Sequence, residues 1–354
     1  MVFLNHLSFV KQGNSKEWDW IFINIFREGY IGVSFFFILS GFILAYNYQQ
    51  KFKKGSISKR QFWSARLSRI LPLYYITILA AVPFTLLEFS SNSSAWIQKM
   101  FLNLFALQSF VPVYDYYFSF NLPAWSISNE LFFYLLFPFL IPLIEKINIR
   151  NFLIPFGGFI IVIFLILNFI DPNNHHALFY INPFIRLFDF SLGVALFNIY
   201  KITDPAPWKS FSRASSLEIT ALSVLLLFFG LHQFIPEVYR FSIYYWLPMS
   251  MVIFSFSFQG GIISKWLSGK TIVLLGEISF GFYLLHHLVI RYVLALNTKF
   301  FQINSELMIL FSIFIITLIA SYLSYFFFES PFRKYFRRFN VKKAIPHSAT
   351  PLMS

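Results

Sequence analysis

The chain has 354 residues, of which 57% are apolar and only 12% are charged, about half the charged fraction of a typical soluble domain. This composition excludes a soluble globular enzyme and a disordered chain, and the absence of Cys excludes disulfides, thiol catalysis and iron–sulfur ligation. We attribute the net charge of +13 to cytoplasmic loops beside anionic lipid rather than to a surface that binds nucleic acid.

The fold class predicted from this composition is all-α: a polytopic transmembrane helix bundle of about ten spans, with the first truncated. Residues 1–10 hold a partial first span that is too short to cross a bilayer, so we expect a truncated or misassigned start. Residues 99–113 are apolar but short, and we expect an interfacial or re-entrant segment there. The complete spans are predicted at approximately 30–48, 70–88, 124–145, 151–170, 178–200, 215–233, 241–259, 271–296 and 306–328.

The positions of the basic residues predict the topology. If the loop at 49–69 is cytoplasmic and the sides alternate, the segments predicted in the cytoplasm contain 20 Lys and Arg, and those predicted outside contain 6. This excess is typical of the positive-inside rule, and it requires that 99–113 does not span. We therefore expect one membrane domain over residues 1–340, followed by a disordered cytoplasmic tail over 341–354.

Ionisable side chains at bilayer depth indicate the site, because each costs about 2.5–3.5 kcal/mol on insertion scales. His6, in the partial first span, is either a polar residue near the outer interface or a general base inside the bundle. Glu130 lies about two turns inside the outer surface on this topology. A lone carboxylate there predicts a functional role: to orient a histidine, accept a proton or bind a substrate hydroxyl.

Two arginine-containing pairs also have structural explanations. Arg66 and Arg69 share one helix face where a cytoplasmic loop enters a span, and they either anchor the protein at the membrane surface or bind phosphate groups. Arg186 and Asp189, three residues apart in one span, either neutralise each other or act in the site.

The remaining histidines are less informative. Since neighbouring side chains diverge on a helix, at most one of His286 and His287 is expected to be central. His175 and His176 lie in a polar outer loop, where no role is expected. We identify no metal-ligand spacing, no glycine-rich phosphate loop and no nucleophile elbow. From the residues alone, the chain is either a transporter or a membrane-embedded enzyme.

Several motifs follow one another along nearly the whole chain in an order that is similar to one family. They are GVSFFFILSGF at 32–42, which contains Ser40; Arg66 and Arg69 followed by ILP; WSISNE at 125–130; the stretch from Arg186 to Gly193; YLLH at 283–286; and ESP at 329–331. Together they resemble the acyltransferase-3 family of integral-membrane acyltransferases, which includes bacterial O-antigen, exopolysaccharide and peptidoglycan O-acetylases. The family's first span carries a histidine preceded about ten residues earlier by a basic residue. His6 stands in the histidine position, but the basic position would precede Met1.

The resemblance implies a mechanism and a set of site residues. It implies that an acyl group, expected to be acetyl, moves from cytoplasmic acyl-CoA to a glycan hydroxyl. His6 would be the general base or a transient acyl carrier, and Glu130 would orient His6 or hold the acceptor. Arg66 and Arg69 would bind the CoA phosphates. The further candidates for the polar cavity are Ser40, Arg186, Asp189 and His286.

The same resemblance sets the expected cofactors, partners and location. No bound cofactor is expected, and acyl-CoA, with acetyl-CoA foremost, is the co-substrate. The expected partners are a glycan or lipid-linked glycan acceptor and membrane lipid, without nucleic acid, in the bacterial inner membrane with the C-terminus in the cytoplasm. The alternative function is a transporter or flippase of lipid-linked glycan without acyl transfer. A second alternative keeps the enzyme class but uses succinyl or a longer acyl group.

Overall fold

The computed structural model describes residues 1–9, 16–146, 157–158, 160–163, 165–167 and 169–335. Much of the predicted span at 151–170, and all of the tail at 341–354, lie outside the described residues. Within the described ranges the regular structure is helical, which confirms the all-α prediction. Seven of these helices are long and apolar enough to cross a membrane, so the chain is an integral membrane protein. The predicted count of about ten spans is not confirmed.

The main helices are labelled here in chain order. They are α1 (Val2–Asn5), α2 (Ile31–Lys53), α3 (Lys59–Ala81), α4 (Ser93–Leu104), α5 (Ala124–Lys146), α6 (Pro183–Ile202), α7 (Phe211–Leu231), α8 (Ile243–Ser257), α9 (Lys270–Leu296) and α10 (Glu306–Ser324). Shorter α-helical segments lie at Lys16–Ile21, Leu86–Ser91, Tyr114–Tyr117, Glu237–Arg240 and Ile262–Leu267. Turns of 3-10 or π geometry extend several of them, as at Arg27–Tyr30 before α2 and Tyr325–Glu329 after α10.

Helix α3 begins at Lys59, well before the predicted start of this span at 70. The reason is a capping box: the Gln61 backbone N–H donates to Ser58 Oγ at 3.2 Å, and the Ser58 N–H donates to Gln61 Oε1 at 2.9 Å. A hydropathy scan does not detect this polar first turn. As a result Arg66 and Arg69 lie within a regular helix, which holds both side chains in a defined direction.

Helix α6 also begins at a capping signal rather than at the predicted residue 178. The Asn182 side chain accepts a hydrogen bond from the Phe184 backbone N–H at 2.9 Å, and Pro183 occupies the first helical position. Arg186 therefore lies in the first turn of the helix. The predicted span at 241–259 is shorter in the structure, because α8 contains only 15 residues.

The segment at 99–113 does not form one continuous helix. Helix α4 ends at Leu104, and Ala106 then adopts a left-handed conformation with φ of 52°. A 3-10 turn at Gln108–Phe110 follows. This broken backbone agrees with the expectation that the segment does not span the membrane. Buried side chains satisfy some of its backbone polar groups: Tyr74 Oη donates a hydrogen bond to the Asn103 carbonyl oxygen at 2.7 Å.

Helices α2 and α6 form the most extensive contact between described helices. A glycine from each allows the close approach: a Cβ at Gly41 would overlap the Phe190 carbonyl oxygen, and one at Gly193 would overlap the Ile38 carbonyl oxygen. Small residues commonly bring membrane helices together in this way. The packing sets the position of Ser40 and Arg186 in the centre of the bundle.

Replacing Gly41 or Gly193 with Ala is expected to destabilise the protein by about 1–3 kcal/mol, because backbone atoms on the facing helix must move. Gly230, near the end of α7, is the matched control, since a Cβ there meets no atom within 4 Å. Gly230→Ala should leave stability unchanged or raise it slightly through the lower backbone entropy of the unfolded chain. The melting temperatures of all three variants are measured by thermal unfolding in detergent. Equal melting temperatures for Gly41→Ala and Gly230→Ala would contradict the close-packing argument.

Candidate active site

A cavity of about 170 Å³ lies where α1, α2 and α5 meet the connections that are predicted to be outside the membrane. Its wall combines aliphatic side chains, such as Val33 and Leu122, with polar and aromatic ones: His6, Tyr30, Trp125, His176, Tyr180 and Tyr283. Arg27 and Glu237 also line it, and they form an ion pair of 3.2 Å between two half-exposed side chains. The cavity is therefore a polar, aromatic chamber with charged residues at its edge.

His6 is placed in this wall by the short helix α1, whose C-terminal cap it forms. Its Nδ1 lies 2.7 Å from Nε2 of His286 in α9, within hydrogen-bonding distance. The two ring planes are nearly parallel, with centroids 4.9 Å apart and an interplanar angle of 6°, which suits a hydrogen bond within the ring planes. The structure thus joins a predicted catalytic residue to a residue that the sequence suggested only as a cavity candidate.

His287 also contacts His6, although at most one of the adjacent histidines was expected to be central. Its ring meets the His6 ring edge-on, with centroids 5.5 Å apart. Although neighbouring side chains on α9 diverge, the His6 ring is close enough to contact both imidazoles. Within the described residues, no group of three or more His, Cys, Asp and Glu side chains is arranged to hold a metal ion.

Glu130 lies in a second polar cluster, one that does not include His6. The carboxylate is buried, and its Oε1 accepts hydrogen bonds from the Tyr134 hydroxyl and, at 3.4 Å, from Ser40 Oγ. The structure therefore brings Ser40 and Glu130 together, whereas the imidazole of His6 bonds to His286 instead. The proposed roles of Glu130 in orienting His6 or holding the acceptor stay predictions.

Ser126, Glu130 and Tyr134 occupy successive turns of α5 at a spacing of four residues, so they share one helix face. Ser126 Oγ is hydrogen-bonded to the hydroxyl of Tyr283 at 2.6 Å, and Tyr283 lines the cavity. At the other end, the Tyr134 backbone carbonyl oxygen accepts a hydrogen bond from Trp63 Nε1 in α3 at 3.0 Å. This polar face extends from the cavity towards the arginines of α3.

Arg66 and Arg69 have different environments. The Arg66 Nη2 donates to the Tyr48 hydroxyl at 2.7 Å, and its guanidinium lies 5.0 Å from the centre of the Tyr48 ring. Arg69 is exposed. Arg66 is thus fixed by the protein, and the exposed Arg69 is the more accessible of the two to a ligand.

Arg186 and Asp189 form a fully buried ion pair of 2.9 Å, the arrangement expected if they neutralise each other. Arg186 also donates to Ser34 Oγ at 2.7 Å and to the Phe241 carbonyl oxygen at 2.8 Å. Asp189 Oδ1 accepts from Ser242 Oγ at 2.7 Å and from Trp246 Nε1 at 2.5 Å. These bonds join α2, α6 and α8 behind the cavity.

Two groups near the cavity were missed by sequence reasoning. Glu28 is 2% exposed and accepts hydrogen bonds from Arg240 and from the Tyr245 hydroxyl, the latter at 2.9 Å. In the sequence Arg240 is only one of the outer basic residues, and Glu28 has no distinguishing pattern. His176, expected to have no role, lines the cavity, where burial lowers its pKa although nearby Glu237 opposes this shift.

Comparison with known proteins identifies relatives for nearly the whole chain. A family model described as an acyltransferase domain matches residues 1–326. The acyltransferase MdmB of Streptomyces mycarofaciens is 30% identical over 287 residues, which is 76% of this chain and 70% of that protein. A putative O-acetyltransferase of Staphylococcus aureus (strain COL) is 26% identical over 330 residues, 86% of this chain and 53% of the relative.

A third relative is the peptidoglycan O-acetyltransferase OatA of Listeria monocytogenes, which is 25% identical over 340 residues. The match covers 89% of this chain and 54% of OatA. The chain thus spans about half the length of the staphylococcal and listerial relatives. No solved structure matches the chain.

Proposed function

Because the chain belongs to the acyltransferase-3 family and is a membrane-embedded O-acyltransferase, we propose that it moves an acetyl group from acetyl-CoA to a hydroxyl of a cell-surface or exported glycan. The observation that carries this proposal is the hydrogen bond between His6, which lies in the wall of a polar cavity, and the buried His286 behind it. The O-acetyltransferase names of the relatives, one of which acts on peptidoglycan, support the acceptor class.

The cavity suits the end of a larger acceptor. Its volume of about 170 Å³ is below the range of about 300–1,000 Å³ that holds a whole drug-sized ligand. The cavity is therefore of a size that suits one sugar unit of a longer glycan. Trp125, Tyr180 and Tyr283 supply ring surfaces on which a sugar can pack.

The chemistry needs a base, an acceptor hydroxyl and a thioester. His6 takes the hydroxyl proton while the acceptor oxygen forms a bond to the acyl carbon. The carbon–sulfur bond then breaks, and the CoA thiolate leaves with the proton that His6 returns. Proton transfer by a positioned side chain typically contributes 10²–10⁴-fold to the rate. The imidazole of His6 thus acts once as a base and once as an acid in each cycle.

The donor enters from the opposite side in this proposal. Arg69 and Arg66 bind the CoA phosphates at the cytoplasmic end of α3, where charge-assisted hydrogen bonds to phosphate are strong. The acyl-pantetheine arm then follows the polar face of Ser126, Glu130 and Tyr134 towards the cavity. The hydrogen bond between Ser126 and Tyr283 joins this face to the cavity wall, because Tyr283 lines the cavity.

Replacing Arg69 with Ala is expected to raise the KM for acetyl-CoA by about 10–100-fold, because a hydrogen bond to a charged group contributes about 1.5–3 kcal/mol. Lys54 is the matched control, since it is an exposed cation in the same predicted cytoplasmic loop. Lys54→Ala should change the KM less than about twofold. Initial rates measured at varied acetyl-CoA concentrations give the KM of each variant. Similar KM values for the two variants would show that Arg69 only anchors the protein.

Acyl transfer and glycan transport are separated by one membrane assay. Membranes that contain the protein receive radiolabelled acetyl-CoA and an isolated cell-wall glycan, and the glycan is then tested for alkali-labile label. Labelled O-acyl product is expected, whereas movement of glycan across the membrane without label would favour the flippase alternative. Competition by unlabelled succinyl-CoA or longer acyl-CoA identifies the donor group.

The proposed location is the bacterial inner membrane, with the C-terminus in the cytoplasm. The excess of Lys and Arg in alternate connections supports this orientation. It places the cavity outside, where an exported glycan or a lipid-linked glycan arrives, and Arg69 inside, where acyl-CoA is made. Membrane lipid covers the many exposed apolar side chains of the bundle.

A further inference from the structure

His286 holds its ring in a single orientation between two fixed partners. On one side its Nδ1 lies 3.2 Å from the carbonyl oxygen of Phe282, one turn earlier in α9. On the other side its Nε2 lies 2.7 Å from Nδ1 of His6. The side chain is completely buried, and the rings of Phe3 and Tyr283 pack against it at centroid distances of 6.0 Å and 5.9 Å.

The positions of the hydrogens follow from these contacts. A carbonyl oxygen only accepts, so Nδ1 of His286 carries the hydrogen that is donated to Phe282. In a neutral imidazole the other nitrogen, Nε2, then has a lone pair and accepts. Nδ1 of His6 is therefore the donor in the bond between the two rings, and Nε2 of His6 holds the lone pair.

We propose that His286 is a positioning residue that fixes the tautomer of His6, so that Nε2 is its basic nitrogen. His6 lines the cavity, whereas His286 is not exposed. The inference rests on the proposed function, in which His6 takes the proton of an acceptor hydroxyl. It adds a second residue to that step, which acts through His6 and does not touch the substrate.

The tautomer matters because one ring nitrogen of a neutral histidine always carries a hydrogen, and the hydrogen bond of one nitrogen determines the state of the other. Without an acceptor at the position of His286, Nε2 of His6 is free to carry the hydrogen and is then no longer basic. When His6 accepts a proton, its Nδ1–H still donates to His286, which stabilises the positive charge. The Phe282 carbonyl oxygen completes this chain of three groups.

Two amide variants at position 286 separate positioning from packing. A Gln side chain reaches the position of Nε2 and presents a carbonyl oxygen to His6, whereas an Asn side chain reaches only the position of Nδ1. We expect kcat of His286→Gln to fall less than about tenfold. We expect kcat of His286→Asn to fall by about 10²–10⁴-fold, the contribution of a general base, with KM for acetyl-CoA changed less than about twofold.

The tautomer of His6 can be determined without measuring activity. The full-length protein, with its seven histidines labelled with ¹⁵N, is studied by NMR spectroscopy in lipid nanodiscs, and the His6 signals are assigned from their absence in His6→Ala. The hydrogen is expected on Nδ1 of His6 in the wild type and in His286→Gln, and on Nε2 in His286→Asn. A wild-type hydrogen on Nε2, or equal kcat values for the Gln and Asn variants, would overturn the proposal. Failure of the proposed function differs, because the wild type then transfers no labelled acetyl group, or His6→Ala transfers it at the full rate, whichever tautomer the spectrum reports.

Discussion

The His6→Ala variant is expected to transfer acyl groups about 10²–10⁴-fold more slowly than the wild type, because it lacks the proposed general base. The loss should appear in kcat, since the arginines proposed to bind the donor lie in α3 and keep their partners. Single-turnover measurements with radiolabelled acetyl-CoA and purified protein in nanodiscs test this expectation. Protein yield and the size-exclusion profile should match those of the wild type.

His175→Ala is the matched control for this experiment. His175 lies in the same outer region as the cavity, but its Nε2 is close to the Ile170 carbonyl oxygen, at 3.2 Å, and it is not among the cavity-lining residues. It should transfer acyl groups at the wild-type rate. Equal rates for His6→Ala and His175→Ala would reject His6 as the base and would favour the interpretation of His6 as an interfacial polar residue.

The Arg186→Met variant is expected to lose about 3–5 kcal/mol of stability, because it leaves the Asp189 carboxylate buried without its cation. Arg186 has no exposed surface, and it bonds to Ser34 and to the Phe241 carbonyl oxygen as well as to Asp189. Its removal therefore loosens the junction of α2, α6 and α8. Thermal unfolding in detergent and the yield of monodisperse protein measure the loss.

A double variant separates the charge from the packing. Arg186→Met combined with Asp189→Asn removes both charges, and the Asn carbonyl oxygen still accepts the hydrogen bonds of Ser242 and Trp246. This variant should recover at least half of the lost stability, since no unpaired charge stays buried. A single variant as stable as the wild type, or a double variant less stable than the single one, would contradict the structural role of the pair.

The positions of helix starts show what a local pattern does and does not predict. Hydropathy located α5 and α9 closely, because their ends coincide with the ends of apolar stretches. It missed the starts of α3 and α6, which are set by side-chain caps at Ser58 and Asn182. Capping depends on one or two polar residues, and a property averaged over about 20 residues does not register them.

The candidate site also shows which features the sequence predicts and which it does not. The sequence predicts that charged and imidazole groups kept at bilayer depth have partners, because unpaired groups there are costly. It does not say which partners: Arg186 was correctly paired with its neighbour Asp189 as one of two alternatives, whereas Glu130 bonds to Ser40 and Tyr134 rather than to His6. A pairing three residues apart follows from the helical repeat, but a pairing between helices does not.

The sequence by itself therefore determined the class of protein, its all-α membrane architecture and the short list of polar residues from which the site is drawn. Composition, hydropathy and motif order can be read from the chain alone. They predict the architecture because a segment that crosses lipid must be apolar and must satisfy its backbone hydrogen bonds within itself. Only the tertiary structure decided that His6 meets His286, 280 residues away, and that Glu28 meets Arg240, 212 residues away. Such meetings depend on how each helix is rotated about its axis and packed against its neighbours, as where Gly41 and Gly193 bring α2 and α6 together.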